Sequence, residues 1–217
     1  MIKRQLLFYL TLISISALGS GLDHARAAPA STAQATPLAS TAQVPIQRLT
    51  DTLLTIMKQG RAVPFEQRFE SLAPTIDQAF DLETILHASV GPSWAGLAAV
   101  QQDQLREAFR RYTVASYVHS FDSLDGIRLE VLPDMRATPN GEQIVGTSIV
   151  AASGDTNALD YVMRHSDRGW RAVDVLAEGT VSRVAVQRSD FRRLLSQGGA
   201  AALVDSLRAK ARDLAGS

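Results

Sequence analysis

The sequence predicts an α+β protein in which helices precede and follow a four-stranded antiparallel sheet. Apolar residues recur at helical spacing as far as Ser116, change to a period of two after Gly126, and return to helical spacing after Gly179. Four alternating runs joined by short turns favour an antiparallel meander. Because helices and strands are segregated along the chain, we expect an α+β fold and not a parallel, doubly wound sheet.

The first 27 residues have the three parts of a secretory signal peptide. Lys3 and Arg4 form a charged start, an apolar run extends from Leu6 to Leu18, and small residues ending at Ala27 offer a cleavage site. An uncleaved membrane anchor would need about 20 apolar residues, and this run is shorter. We therefore expect export, cleavage near Ala27, and no later segment that spans a membrane.

The composition of the remaining residues limits the possible domain organisation and function classes. Residues 28–44 are small, polar and proline-containing without an apolar period, so they predict a disordered spacer, and residues 45–217 suffice for one domain. The chain has no cysteine, which excludes disulfides and a lipid-modified thiol. The 22 basic and 22 acidic residues balance, so a strongly basic face for nucleic acid is not expected.

Four helices are expected before the sheet. Gly60 ends the first helix, and Pro64 stands where a second helix can begin. Pro74 is expected to break or redirect the second helix because proline clashes with the preceding turn. Asp81 can cap a third helix by accepting a backbone hydrogen bond. The apolar stripes are Ile46, Leu49, Leu53 and Ile56 in the first helix, Phe65, Phe69 and Leu72 in the second, and Leu97, Leu105, Phe109, Tyr112 and Ser116 in the fourth, opposite Arg106, Arg110 and Arg111.

The strands are predicted from alternating polarity. They lie at residues 127–132, 143–152, 159–164 and 170–177, and turn residues such as Pro139-Asn140-Gly141 separate them. Gly179 is expected to end the sheet. A helix with helical spacing from Val181 onward follows, and Gly198-Gly199 divides it from a last helix.

The residues that carry chemistry form no catalytic or metal-binding signature. The three histidines after residue 27 lie in different elements, so neither a metal nor a cofactor is expected. Asp160 and Asp174 lie in apolar strands, where burial raises a carboxyl pKa and permits acid–base catalysis. Together with Tyr161 they leave open a periplasmic enzyme of the ketosteroid-isomerase type, although a strand aspartate more often faces solvent or pairs with a neighbouring arginine.

Four segments in this order resemble the MlaC family, the periplasmic lipid-carrying components of ABC transporters. They are FDLETI with VGPSW within residues 80–94, QDQLREAFRRYTVASY at residues 102–117, LDYV at residues 159–162, and WRAVDVLAEGTVSRVAVQRSDF at residues 170–191. The resemblance extends from about residue 49 to residue 214. Two departures from the family pattern, Thr180-Val181 before Ser182 and Gln187 before Arg188, make a hopanoid-associated branch of the family an alternative.

The resemblance implies an NTF2-like (cystatin-like) fold whose curved sheet and helices enclose an internal apolar cavity for lipid tails. It implies a periplasmic carrier without catalytic residues that shuttles phospholipid or hopanoid. The implied partners are an inner-membrane Mla-type ABC transporter complex and an outer-membrane lipoprotein/porin complex. The carrier is expected to be a monomer. A non-lipid interaction module with a filled core is the remaining alternative.

The expected cavity wall takes the strand face opposite the charged residues, together with three helical residues that cover the sheet. In the second strand both alternating sets of side chains are partly apolar, and the face chosen there is the one that carries Val145, Thr147 and Ile149. These lipid-binding candidates are Ile85, Phe109, Tyr112, Ile127, Leu129, Val131, Val145, Thr147, Ile149, Leu159, Tyr161, Met163, Val173 and Val175.

Overall fold

Helices precede and follow an antiparallel sheet in the structure, a computed structural model that describes the backbone of residues 37–216 and the side chains of residues 41–216. The predicted signal peptide and residues 28–36 of the predicted spacer lie outside the described residues. The elements are α1 (Pro37–Gln59), α2 (Phe65–Ala79), α3 (Leu82–Val90), α4 (Ala99–Ser120), β1 (Arg128–Ala137), β2 (Gln143–Val150), β3 (Thr156–Ser166), β4 (Gly169–Ala177), β5 (Val181–Ser182) and α5 (Arg183–Ala215), with 3₁₀ turns at Gly60–Ala62 and Gly91–Gly96. The α+β prediction is confirmed.

The sheet has five strands in the order β1-β2-β3-β4-β5, each antiparallel to its neighbour. The prediction of four strands is therefore wrong, although the meander itself is confirmed. Glu178 and Gly179 both have positive φ, 49° and 68°, and the Thr180 N–H donates to the Ala177 carbonyl at 3.1 Å. This two-residue turn matches the twist of antiparallel strands. The turn reverses the chain, so that β5 pairs with β4. The sequence had indicated that the sheet ends at this turn.

The first helix begins earlier than predicted. Residues 37–44, which the sequence assigns to a disordered spacer, form its first turns, so that prediction is wrong for these residues. Ala42 is fully buried, and Gln43 Nε2 donates to the Leu132 and Pro133 carbonyls at 2.9 and 3.1 Å. Those carbonyls lie where β1 shifts its register against β2, at a proline that has no N–H to donate. A hydrogen bond between residues 90 positions apart thus fixes the first helix against the sheet, although the composition of this segment is typical of a linker.

Pro74 lies inside α2 and does not end it, contrary to the prediction. Leu72 and Ile76 on either side of it are fully buried, and the helix continues until the Phe80 N–H donates to the Ile76 carbonyl at 2.9 Å. Burial of the flanking apolar residues outweighs the hydrogen bond that proline removes. The predicted division of α5 is confirmed, since Gly198 and Gly199 have non-helical backbone angles.

The helices cover one face of the sheet. Helix α1 packs against β1 to β4, helices α2, α3 and α5 contact β4, and α4 packs against α2, α3 and α5. The arginine face predicted for α4 forms ion pairs that tie it to α2 and α3: Arg106 with Glu83 at 2.9 Å, Arg110 with Asp77 at 2.6 Å, and Arg111 with Glu66 at 2.9 Å. The opposite side of α4 is thereby directed toward the protein interior.

Candidate functional site

The register brings the candidate strand residues together on one face of the sheet. Leu129 lies opposite Ile149, Val131 opposite Thr147, and Val145 opposite Tyr161. Since alternate side chains point to the same face of a strand, these pairs share one surface. Tyr161 in turn lies opposite Val175, and Thr147 lies opposite Leu159, whose carbonyl accepts a hydrogen bond from the Thr147 hydroxyl at 2.9 Å.

A register shift in β4 changes one position of that surface. Val162 lies opposite Asp174, but Met163 lies opposite Ala172, so Val173 is the extra residue of a bulge. Ala172 is fully buried at the position beside Met163 that simple alternation assigns to Val173. Val173 is buried as well, in the bulge.

Two small cavities lie between the sheet and the helices. The first, which we call the helix-side cavity, has a volume of about 20 Å³, and the second, the sheet-side cavity, about 10 Å³. The lining of the helix-side cavity comprises Phe80, Leu82, Ile85, Phe109, Thr113, Tyr117, Asp174, Val175, Arg183, Val184 and Gln187. The sheet-side cavity is lined by Thr50, Leu53, Phe121, Leu129, Thr147, Ser148, Ile149, Leu159 and Tyr161. Each holds about one water molecule.

The structure divides the candidate residues into three groups. Ile85, Phe109 and Val175 line the helix-side cavity, and Leu129, Thr147, Ile149, Leu159 and Tyr161 line the sheet-side cavity. The others line neither cavity: Tyr112, Ile127, Val131, Val145, Met163 and Val173. Tyr112 lies against α5 instead, with the Lys210 ammonium 5.9 Å from its ring centroid.

Sequence reasoning included Phe109 but missed the residues that follow it at four-residue spacing, along α4 and at the residue after its end. Phe109, Thr113, Tyr117 and Phe121 recur every four residues and line one cavity or the other. This spacing is the signal that could have identified them. The sequence pointed instead to the stripe through Tyr112. In the structure every residue from Tyr112 to Val118 is buried, so both stripes meet neighbouring elements. The lining residues on α1, such as Leu53, were recognised as apolar but not as neighbours of the sheet.

Four aromatic side chains lie between the two cavities, and we call them the aromatic partition: Phe80, Tyr117, Phe121 and Tyr161. The Phe80 ring centroid is 5.6 Å from that of Tyr117 and 6.0 Å from that of Tyr161, and Tyr117 stacks on Phe121 at 5.9 Å. These distances are typical of favourable aromatic pairs. Phe80 and Tyr117 line the helix-side cavity, whereas Phe121 and Tyr161 line the other.

The two tyrosines of the partition are hydrogen-bonded to each other and fully buried. Burial raises the pKa of Tyr117, and it raises the pKa of Tyr161 well above its ordinary value, an effect to which Tyr117 adds. The positive charge of Arg183 acts in the opposite direction on both pKa values. Both phenols are therefore neutral at physiological pH.

Removing both hydroxyls is expected to make stability less sensitive to alkaline pH. Because the folded-state pKa values are raised, each tyrosine contributes fully to stability below the unfolded pKa of about 10, and the contribution falls above it. At about pH 11, one unit above that pKa, ionisation of this pair should have lowered the free energy of unfolding of the wild-type protein by up to about 3 kcal/mol. The double variant Tyr117→Phe/Tyr161→Phe should not show this loss. Urea unfolding of both proteins at neutral pH and at about pH 11 measures it, and equal losses would contradict the prediction.

The two strand aspartates have structural partners. Asp174 accepts hydrogen bonds from the Ser182 hydroxyl at 2.5 Å and from the Val184 N–H at 3.1 Å, and so caps the start of α5. Asp160 forms an ion pair with Arg136. Because neighbouring residues of a strand point to opposite faces, Asp160 and Tyr161 cannot act together in one pocket. The geometry therefore gives no support to the acid–base pair that the sequence left open for Asp160.

Between residues 37 and 216, no group of three or more His, Cys, Asp or Glu side chains is arranged to hold a metal ion. None of the helices in this part of the chain is both long enough and apolar enough to cross a membrane.

Comparisons with known proteins identify the family and the fold of the chain. The family model described as MlaC protein matches residues 47–209. A solved structure from Ralstonia solanacearum, described as a phospholipid-binding protein in complex with a phospholipid, is 22% identical in sequence and has a TM-score of 0.68. The match covers 80% of this chain and 98% of that one, and at this identity it shows a shared fold. No curated protein matches the sequence. Since the family model matches most of the chain, the protein belongs to the MlaC family.

Proposed function

We propose that the protein is a periplasmic lipid carrier that holds the acyl chains of a phospholipid between the sheet and the helices. The observation that carries this proposal is the apolar seam itself: two cavities, divided by four aromatic rings, between a continuous apolar sheet face and the helices. The family and the phospholipid bound to the Ralstonia solanacearum protein support a lipid as the ligand. The curved, NTF2-like enclosure inferred from the resemblance remains part of the proposal.

The cavities are far smaller than a lipid. Pockets for drug-sized ligands occupy about 300–1,000 Å³, whereas these two hold about 20 and 10 Å³. We therefore propose that the carrier must open to take up a lipid. Uptake of a lipid requires the helices that line the helix-side cavity to move away from the sheet, with the tails replacing contacts between the layers.

The energetics of tail burial require docking for transfer. At about 0.8 kcal/mol for each buried CH₂, two chains of about 16 carbons represent about 25 kcal/mol relative to water. Release into the aqueous phase is negligible on this scale. Exchange with a membrane is nearly balanced because both environments are apolar. We propose that exchange takes place with an inner-membrane Mla-type ABC transporter complex and with an outer-membrane lipoprotein/porin complex, after export and cleavage near Ala27.

Mass spectrometry of a solvent extract from the purified, exported protein tests the proposed function. We expect about one phospholipid for each protein molecule, because both cavities lie between the same sheet and the helices that cover it. Recovery of a hopanoid in the same amount would support the carrier and assign it to the hopanoid-associated branch. Protein without lipid that also takes up none from donor vesicles, even with its membrane complex present, would contradict the carrier and favour an interaction module with a filled core.

A further inference from the structure

The chemistry of the two cavity walls differs, and the difference gives the lipid site a direction. Arg183 and Asp174 line the helix-side cavity, together with the Gln187 amide. The polar groups around the sheet-side cavity are the hydroxyls of Thr50, Thr147 and Ser148, beside apolar side chains. A phospholipid headgroup carries charge and remains hydrated, so it belongs at the wall that has charged groups and access to water.

Arg183 supplies the cation at that wall. It is half-buried at the first residue of α5, and its positive charge opposes part of the rise that burial causes in the pKa of both tyrosines of the partition. A headgroup phosphate beside Arg183 would place the attached acyl chains in the helix-side cavity, pointing toward Phe80 and Tyr117. The next space along this direction, the sheet-side cavity, lies behind the rings of Tyr161 and Phe121.

The aromatic partition is rigidly packed at this point. Tyr117 and Tyr161 are 8% and 3% exposed, Phe80 is 3% exposed, and Phe121 is 6% exposed. Each ring touches another ring of the cluster at a centroid distance of 6.0 Å or less. A tail that pushed past it would have to separate stacked rings and the hydrogen-bonded hydroxyl pair, and would leave both hydroxyls without a partner.

We propose that the aromatic partition is the floor of the acyl-chain site and sets the length of chain that the protein accepts. This inference rests on the proposed function, since it assigns a length limit to the same lipid site. Loss of the Tyr161 ring joins the two cavities and lengthens the site by the space of the ring and of the sheet-side cavity, which has a volume of about 10 Å³. The ring volume, and not the hydroxyl, is the determinant.

Competition between chain lengths tests the proposal. Delipidated protein is incubated with vesicles of phosphatidylglycerol whose chains have about 12, 14, 16 and 18 carbons in equal amounts, a range that brackets ordinary membrane lipids. The protein is then reisolated and its bound lipid is measured by mass spectrometry. The wild-type protein should be depleted in the longest chains relative to the vesicles. Tyr161→Leu should raise the ratio of longest to shortest chains by about fourfold for each additional CH₂ that the site can hold.

Three further variants make the result decisive. Tyr161→Phe keeps the ring and should keep the wild-type profile of bound chain lengths. If Tyr161→Leu does not fold, Tyr117→Leu takes its place and should show the same shift toward longer chains. Phe69→Leu is the matched control, because Phe69 is a buried aromatic residue on α2 that lines neither cavity. Its profile should equal that of the wild-type protein.

The outcomes separate the two proposals. If the folded leucine variants bind lipid with the wild-type profile, or if the wild-type profile equals that of the vesicles, the partition does not limit chain length and the inference is overturned while the carrier stands. If the wild-type protein takes up no lipid of any length, the proposed function fails and the length limit fails with it.

Discussion

Replacing Phe109 with alanine is expected to lower the free energy of unfolding by about 4 kcal/mol, the middle of the range for deletion of a buried aromatic side chain. Phe109 is 2% exposed, and its ring meets that of Phe191 edge to face at 6.2 Å. It also forms part of the wall of the helix-side cavity. The substitution therefore removes a buried ring and an aromatic pair, and it enlarges a cavity that already exists.

Urea unfolding followed by circular dichroism measures this change, with Val100→Ala as the control. Val100 is in the first turn of the same helix and is 62% exposed, so its loss should cost less than about 0.5 kcal/mol. A Phe109→Ala variant that loses less than about 1.5 kcal/mol would show that the surrounding helices collapse into the space. Added phospholipid should restore part of the loss if the enlarged cavity belongs to the lipid site, because a ligand that binds the folded state stabilises it.

Replacing Asp174 with alanine is expected to destabilise the protein by about 3 kcal/mol, since helix caps contribute about 1 to 2 kcal/mol and hydrogen bonds to a charged group contribute more. The carboxylate of Asp174 accepts from the Ser182 hydroxyl and from the backbone N–H groups of Val175 and Val184. The Ser182 hydroxyl in turn accepts from the Ala185 N–H at 3.0 Å. Loss of one side chain therefore disturbs the cap of α5 and the β4–β5 turn together.

The matched controls for Asp174 separate its charge from its oxygen atoms. Asp174→Asn keeps one acceptor oxygen and should lose about half as much stability as the alanine variant. Asp190→Ala removes an exposed carboxylate from the same helix and should change the free energy of unfolding by less than about 0.5 kcal/mol. Equal effects of Asp174→Ala and Asp190→Ala in thermal or urea unfolding would show that the cap contributes nothing.

Several parts of the site could be predicted because they depend on local periodicity. The side chains of Leu129, Thr147 and Tyr161 share a face with their cross-strand neighbours, as alternation in each strand requires. The cap at Asp81 is also local, since its carboxylate accepts from the Thr84 N–H three residues later. Alternation failed at Val173, because a bulge depends on the register between two strands and leaves no mark in the periodicity of one strand.

The choice between the two stripes of α4 has a related explanation. Both Tyr112 and Tyr117 are buried, one against α5 and the other against Phe80 and Phe121. A helix that is apolar on more than one side carries no signal that tells which side faces a cavity. That assignment depends on which helix packs where, and the ion pairs from Arg106, Arg110 and Arg111 to α2 and α3 contribute to it only in the folded protein.

The sequence by itself determined the α+β order, the four long strands with their common apolar face, and the resemblance to the family that the model match later established. These follow from the spacing of apolar residues and from motifs a few residues long. The tertiary structure alone decided the fifth strand, the helix through Pro74, the helical start of α1 and the aromatic partition. The fifth strand depends on a short turn that pairs it with β4. The other three depend on burial or hydrogen bonding between residues far apart in the chain, as between Gln43 and Pro133, and such contacts outweigh local preferences once the layers pack.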